Sequence, residues 1–183
     1  MGKLTIYKDN NPEEIVSKLD CPTAIAEELD KIGVVHETWD ITALSDDMSD
    51  DDVLKIYEAD IERLKETGGY QSYDIVRLFP DNDNKCDLRN KFLSEHTHSE
   101  DEVRFFVEGS GMFYIHAHDN VYMILCEQGD LISVPEKAKH WFDMGENPKF
   151  TCIRIFTSPD GWAADYTGDN IADKFPKFEE KAA

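Results

Sequence analysis

The sequence predicts a mainly β protein, a β-barrel or jelly roll preceded by α-helices. Short runs rich in β-branched and aromatic residues recur about every ten residues from position 70 onward, with turn-forming sequences between them. Helical periodicity is confined to the earlier part of the chain. A length of 183 residues is close to that of one domain. We expect a single domain, with helices and strands at about 1–69, a barrel at about 70–157 and a C-terminal extension at 158–183.

Two helices are predicted before the barrel. The first begins at Pro22, which suits the first helical turn, and ends at Gly33. The second begins near Ser49 and ends before Gly68 and Gly69. Three aspartates follow Ser49, where their negative charge suits the positive end of a helix. We therefore interpret this acidic run as a helix start and not as a calcium site.

The candidate strands of the barrel are short and separated by glycine, asparagine, aspartate or proline. One predicted turn, at 108–111, has the sequence Glu-Gly-Ser-Gly. A second acidic stretch, at 81–85, lacks the ligand spacing of an EF-hand and is predicted to be a loop. The candidate strands lie at 72–79, 95–98, 102–108, 112–117, 121–126, 131–134, 140–144 and 150–156.

Composition excludes several classes of function. The net charge of −20 repels phosphate backbones, so nucleic acid is not an expected partner. No apolar run approaches the roughly 20 residues of a membrane span, and the N-terminus does not resemble a signal peptide. The four cysteines contain no CxxC pair and are expected to be reduced thiols, buried or half-buried. These features predict a cytoplasmic protein.

One cluster of side chains has the composition and spacing of a metal site. His96, His98 and Glu102 are all even-numbered, so they can share one face of a strand or of a short strand-turn-strand, and His140 follows 38 positions later. Three neutral imidazoles and one carboxylate, without thiolate, would leave coordination positions open to a substrate. A small molecule with two adjacent oxygens could chelate such a metal.

The other histidines are not predicted to be metal ligands. His116 and His118 are also spaced by two, but no glutamate follows four residues later. We interpret both as surface histidines. His36 is interpreted as a half-exposed strand residue.

The motifs around the predicted ligands resemble those of the cupin superfamily. HTHSEDE at 96–102 with Gly109 matches the first cupin motif, and Gly129, Pro135 and His140 match the second. Three non-ligand positions depart from the motifs: Asn90, Lys137 and Met144. Within the superfamily, longer phrases resemble the acireductone dioxygenase family over residues 1–178, namely YQSYD (70–74), KFLSEHTHSEDEVRFFVEGSG (91–111), DLISVPEKAKHWFDMG (130–145) and IRIFTSPDGWAADYTGDNIA (153–172).

The resemblance implies a fold, a cofactor and a reaction. The fold would be a cupin-type barrel. By resemblance to the family, it would bind one Fe2+ or Ni2+ ion per chain through His96, His98, Glu102 and His140. The substrates would be the acireductone 1,2-dihydroxy-3-keto-5-methylthiopentene and O2, in methionine salvage. The Fe2+ form would give 2-keto-4-methylthiobutyrate and formate, and the Ni2+ form methylthiopropionate, carbon monoxide and formate. We expect a monomer.

Three charged residues near the ligands are candidates for catalytic roles. Arg104 shares the parity of Glu102 and is expected to face inward, where it would pair with a substrate dianion; the alternatives are an outward salt bridge or an inward pair with a structural aspartate. Glu95 and Asp101 have the opposite parity, so they would face away from the metal or orient a ligand imidazole. The resemblance implies that Glu95 assists metal incorporation and that Asp101 relays conformational change.

Four further residues are candidates for substrate binding. Phe92, Phe142 and Trp162 would form the wall of a pocket for an apolar tail, and aromatic edges suit the sulfur of a methylthio group. Arg154 is a second candidate of the same kind as Arg104. Two other functions stay open at this point. One is a cupin oxidoreductase acting on a different chelating molecule, and the other is a non-catalytic cupin that binds a metal or ligand.

Overall fold

A computed structural model describes residues 2–45, 47–158 and 162–178. It contains four α-helices, α1 (Pro22–Asp30), α2 (Asp50–Ile56), α3 (Glu58–Gly68) and α4 (Lys85–Phe92), and a short 3-10 helix (Ile171–Lys174). The strands are β1 (Lys3–Lys8), β2 (Asn11–Leu19), β3 (Val35–Thr38), β4 (Ser72–Leu78), β5 (His96–Thr97), β6 (Glu102–Ala117), β7 (Asn120–Glu127), β8 (Asp130–Val134), β9 (Lys139–Asp143), β10 (Phe150–Phe156) and β11 (Asp165–Tyr166). The prediction of a mainly β protein is confirmed.

Strand β6 joins the two halves of the barrel. Its first half pairs with β8 and β10, and its second half pairs with β7 and β9. The change of partners occurs at Gly109, which has a φ of 74°. A Cβ atom at this position would lie 1.8 Å from the carbonyl oxygen of Lys149, so only glycine fits. The predicted turn at 108–111 is therefore wrong, because the chain bends there without leaving the sheet.

The N-terminal part contains a hairpin that the sequence analysis missed. Strands β1 and β2 pair with each other, and β1 also pairs with β7, so the hairpin extends the barrel sheet. Leu4 and Ile6 are buried in the main core, while most of β2 is exposed. The hairpin thus closes one side of the barrel by burying alternate residues of a single strand.

The two predicted helical regions are present, with different limits. Helix α1 begins at Pro22 as predicted but ends before Gly33. The long second helix is two helices, α2 and α3, because Tyr57 leaves helical geometry at φ −100° and ψ 11°. Ser49 and Asp52 form the capping box that starts α2, which confirms the interpretation of the acidic run.

Smaller differences concern the segment before β5 and the cysteines. The predicted loop at 81–85 ends one residue early, because Lys85 begins α4. All four cysteines are free; two are buried, as predicted, but Cys21 and Cys86 are exposed. Within the described residues, no helix is long and apolar enough to cross a membrane.

The described C-terminal segment, 162–178, packs back against the barrel. Phe175 and Phe178 are buried in a cluster with Trp141. The backbone N–H of Phe178 donates to the buried carboxylate of Asp143 at 2.9 Å, and Arg89 of α4 donates to the same carboxylate at 2.8 and 3.1 Å. Asp143 thus joins strand β9, helix α4 and the C-terminal segment, three elements that surround the candidate site.

Candidate metal centre

Four metal-ligand side chains come together from three stretches of backbone. His96 lies on β5, His98 directly follows that strand, Glu102 is the first residue of β6 and His140 lies on β9. His96 and His140 are directly opposed in the β5–β9 pair. All four side chains are buried, and one ligand atom from each lies within 4.8 Å of the others. These residues form a metal-binding site of three histidines and one glutamate.

Backbone carbonyl groups fix the orientation of each imidazole. The Nδ1 atom of every ring lies within hydrogen-bond distance of a carbonyl oxygen, so Nδ1 carries the proton and the Nε2 lone pair is free for a metal. The acceptors are Ser94 for His96 (2.7 Å), Ala163 for His98 (2.8 Å) and Ala138 for His140 (2.8 Å). The C-terminal segment therefore contributes to the site, because Ala163 belongs to it.

The arrangement of donors requires positive charge at the site. One oxygen of Glu102, Oε2, lies 2.8 Å from Nε2 of His98 and 3.1 Å from Nε2 of His140. With Nδ1 protonated, two neutral rings would direct lone pairs at a carboxylate, which is repulsive. Protons on the rings or a divalent metal remove this repulsion. A nitrogen-rich set with one carboxylate and no thiolate fits a first-row transition metal.

The environment separates the pKa values of these groups. Burial, followed by the charge of His140, lowers the pKa of His96 to about 4. Burial also opposes the charged form of His98, but the hydrogen bond and the charge of Glu102 outweigh it and raise the pKa of His98 above 6.5. Burial opposes ionisation of Glu102, yet Arg104 and the two histidines hold its pKa well below 4.5. A proton therefore competes with the metal at His98 and not at His96.

We expect Ni2+ binding to the metal-free protein to weaken as the pH falls below the raised pKa of His98. That ring is increasingly protonated there, so binding must displace a proton and the apparent affinity falls by up to about tenfold per pH unit. His96 stays neutral until the pH approaches 4 and adds no competition above about pH 5. Calorimetry in buffers of different ionisation enthalpy should show that metal binding releases protons, and that the release grows as the pH falls through the raised pKa of His98. An affinity that is constant from pH 7.5 to 5.5 would contradict this assignment.

Arg104 lies beside the ligands, on the inward face. Its Nε donates to Oε1 of Glu102 at 2.7 Å, so its carboxylate partner is a ligand and not a structural aspartate. The guanidinium packs over Phe142, with 4.8 Å between its carbon and the ring centroid, and over Trp162 at 5.4 Å. It is buried, with 4% of its surface exposed. Rings and carboxylate together hold the charge in one position.

Glu95 and Asp101 do not face the metal. The Glu95 carboxylate is buried and lies 2.6 Å from Nδ1 of His116, and it accepts a hydrogen bond from Thr167 at 2.8 Å. The Asp101 carboxylate accepts hydrogen bonds from the Tyr70 hydroxyl (3.2 Å) and the Glu136 N–H (3.0 Å). Both carboxylates connect separate segments around the site.

Two interpretations of other histidines need correction. His118 is exposed as expected, but His116 is half-buried between Glu95 and Asp9, because β6 continues to Ala117 and its end is covered. His36 lies on a strand as predicted, but it is buried, 3.4 Å from the Asp130 carboxylate. These three acidic partners could not be predicted from the sequence, because each lies far along the chain from its histidine.

A cavity of about 490 Å³ opens beside the metal ligands. Of the four predicted substrate-binding residues, Phe92, Arg154 and Trp162 line it. Phe142 is not among the lining residues; it is 1% exposed and packs beneath Arg104. The lining consists of Ser72, Tyr73, Asp74, Lys91, Phe92, His98, Glu102, Arg104, Arg154, Phe156, Trp162, Ala163 and Ala164.

The chain is similar to known proteins over nearly its whole length. It is 51% identical to an acireductone dioxygenase of Aquifex aeolicus (strain VF5), over 98% of both chains. It is 52% identical to an acireductone dioxygenase of Parvibaculum lavamentivorans, over 99% of both chains. Among solved structures, it matches the acireductone dioxygenase from Bacillus anthracis with a cadmium ion in its active centre, with a TM-score of 0.80 and 30% identity over 91% of this chain and 98% of that one.

A family model gives the same result. The model described as the ARD/ARD' family matches residues 3–164, which include all four metal-ligand residues. The match therefore covers the barrel and the site, together with the N-terminal hairpin and helices. This chain belongs to the ARD/ARD' family of acireductone dioxygenases.

Proposed function

We propose that this protein is a metal-dependent dioxygenase that cleaves the acireductone 1,2-dihydroxy-3-keto-5-methylthiopentene with O2 in methionine salvage. One observation supports it above all: three imidazole nitrogens and a Glu102 oxygen converge beside a cavity large enough for a small molecule. His98 and Glu102 themselves line that cavity. The proposed cofactor is one Fe2+ or Ni2+ ion, held by His96, His98, Glu102 and His140.

The bound metal would act as a Lewis acid that favours the deprotonated form of a chelating enediol. Arg104 would stabilise the same negative charge on the deprotonated substrate. Its contact with Glu102 uses Nε, and a guanidinium has five N–H donors, so donors remain for a substrate oxygen. The surrounding rings of Phe142 and Trp162 exclude water from this cation and strengthen its attraction for an anion.

The apolar tail of the substrate would lie against the aromatic part of the cavity. Phe92, Phe156 and Trp162 line that part, and their ring edges make favourable contacts with a thioether sulfur. Phe142 acts from below, by positioning Arg104. Arg154 also lines the cavity.

Glu95 and Asp101 are assigned positioning roles. Glu95 directly precedes the ligand His96, and its carboxylate accepts a hydrogen bond from the Thr167 hydroxyl in the C-terminal segment. It would therefore hold β5 and that segment together while the metal enters. The backbone carbonyl of Asp101 accepts a hydrogen bond from the Trp162 indole at 2.9 Å. Its carboxylate accepts one from the backbone N–H of Glu136, between β8 and β9. Asp101 therefore couples the cavity wall to the strand that bears His140.

We propose that the protein works as a monomer in the cytoplasm. All four of its cysteines are free, and two of them are exposed, which suits a reducing compartment.

The test is reconstitution of metal-free protein with one metal at a time, followed by aerobic reaction with synthetic acireductone. We expect the Fe2+ form to give 2-keto-4-methylthiobutyrate and formate, and the Ni2+ form to give methylthiopropionate, carbon monoxide and formate. Gas chromatography for carbon monoxide and mass spectrometry of the acids measure both outcomes. Carbon monoxide from both metal forms, or from neither, would contradict the proposal of two reactions at one site.

A further inference from the structure

Three charged residues form a row across neighbouring strands of the cavity wall. Asp74 on β4 is directly opposite Arg154 on β10, and Arg154 is directly opposite Arg104 on β6. Directly opposed residues project from the same face of a sheet, and all three line the cavity. The row therefore runs from Arg104, beside the metal ligand Glu102, outward to Asp74.

The outer two members form a bidentate ion pair. The Nε and Nη2 atoms of Arg154 lie 2.8 Å and 2.5 Å from the two carboxylate oxygens of Asp74. The guanidinium also packs over Phe156, at 5.3 Å from the ring centroid, and over Trp162 at 5.7 Å. Planar pairing and ring stacking together hold Arg154 in place, with its charge compensated by Asp74.

The two arginines of the row differ in what they can offer a ligand. Trp162 contacts both, at 5.4 Å from Arg104 and 5.7 Å from Arg154. Arg104 is buried beside the metal ligands, whereas 30% of the Arg154 side chain and 45% of the Asp74 side chain are exposed. Two of the five N–H donors of Arg154 are directed at Asp74, and the carboxylate compensates the charge of the guanidinium. An anion that approached Arg154 would therefore also be repelled by the negative charge of Asp74.

We propose that Asp74 determines the charge selectivity of the cavity for the substrate tail, by neutralising Arg154. This inference rests on the proposed function. With the pair intact, the outer part of the cavity presents rings and a compensated cation, which suits an uncharged apolar tail. Without the carboxylate charge, Arg154 becomes an anion-binding group at the same place. Asp74 is thus a specificity-determining residue for tails without negative charge.

The test compares two acireductones, one with methylene in place of sulfur and one with a carboxylate in place of the methylthio group. For Asp74→Asn, we expect the ratio of kcat/KM for the carboxylate tail to that for the neutral tail to rise about tenfold over the original protein, through KM and not kcat. Asn keeps the size of the side chain on a partly exposed edge strand, and circular dichroism shows whether the variant is folded. Anaerobic titration of tryptophan fluorescence gives the same comparison as dissociation constants.

Two controls make the inference specific. The double variant Asp74→Asn with Arg154→Gln should lose the gain, because the group that would bind the carboxylate is absent. Glu14→Gln removes one negative charge from exposed strand β2, far along the sheet, and should leave the ratio unchanged. Lys91 also lines the cavity but is the same in every variant, so its attraction cancels in the comparison.

The outcomes separate the two proposals. If the original protein consumes neither these compounds nor the methylthio acireductone, the proposed function is wrong. If it consumes the neutral compound but Asp74→Asn leaves the ratio unchanged, the inference about Asp74 is overturned and the proposed function stands. A double variant with the same gain as Asp74→Asn would overturn it as well, because Arg154 would then have no part in the selectivity.

Discussion

Replacing His140 with alanine is expected to leave the purified protein with well under one metal ion per chain and without turnover. His140 is buried, its Nδ1 is oriented by the Ala138 carbonyl, and its Nε2 faces Glu102. Loss of a group that only orients a ligand typically costs 10- to 100-fold in metal affinity, so loss of a ligand should cost more than about 100-fold. His140→Gln, which nearly preserves the volume, should show the same loss.

Elemental analysis after gel filtration measures this loss, and circular dichroism shows whether the barrel is intact. His118→Asn is the control, because His118 is exposed and asparagine tolerates its positive φ of 49°. It should retain metal at the level of the original protein. Full occupancy in both His140 variants would remove this residue from the metal site.

The metal ligands could be predicted because strand parity and a turn are local properties. His96, His98 and Glu102 share parity, and they do converge, although β5 contains only two residues and a loop separates His98 from β6. Parity also predicted that Glu95 faces away from the metal. It did not predict that Glu95 is buried, because the cover comes from His116 and from Thr167, far apart in the chain. The direction in which a strand side chain points follows from a local pattern. Its burial depends on which distant segment of the chain packs over it.

The same limit explains the missed features of the fold. Glycines at 109 and 111 suit a turn, but they equally suit a bent strand, and only the pairing of β6 with four other strands decides between them. The break at Tyr57 is invisible in the helical periodicity, since Val53, Tyr57 and Ile61 all remain on the buried side. The partnership of Asp74 with Arg154 spans 80 positions and depends on the pairing of β4 with β10.

Replacing Arg104 with alanine is expected to lower kcat by about 100- to 1000-fold at full metal occupancy, the range typical for removal of one group that stabilises developing charge. The guanidinium lies beside a metal ligand in a buried, ring-lined place, where its charge acts through little water. Arg104→Lys keeps the charge but loses the planar fork, so an intermediate kcat is expected. Glu102 loses a partner in the alanine variant, so metal must be added to saturation and its content measured in every assay.

Arg63→Ala is the matched control for this change. Arg63 also stacks on a tryptophan, Trp39 at 5.7 Å, and pairs with a glutamate, Glu37 at 2.7 Å, but it lies on helix α3 and does not line the cavity. It should leave kcat unchanged. Anaerobic binding of acireductone to the Arg104→Ala variant is measured beside kcat, because it distinguishes an enzyme from a protein that only binds this ligand. A protein that only binds acireductone would not need the Arg104 charge for a reaction. A metal-loaded Arg104→Ala variant that turns over like the original protein would show that the charge beside Glu102 orients the ligand carboxylate and takes no part in the cleavage.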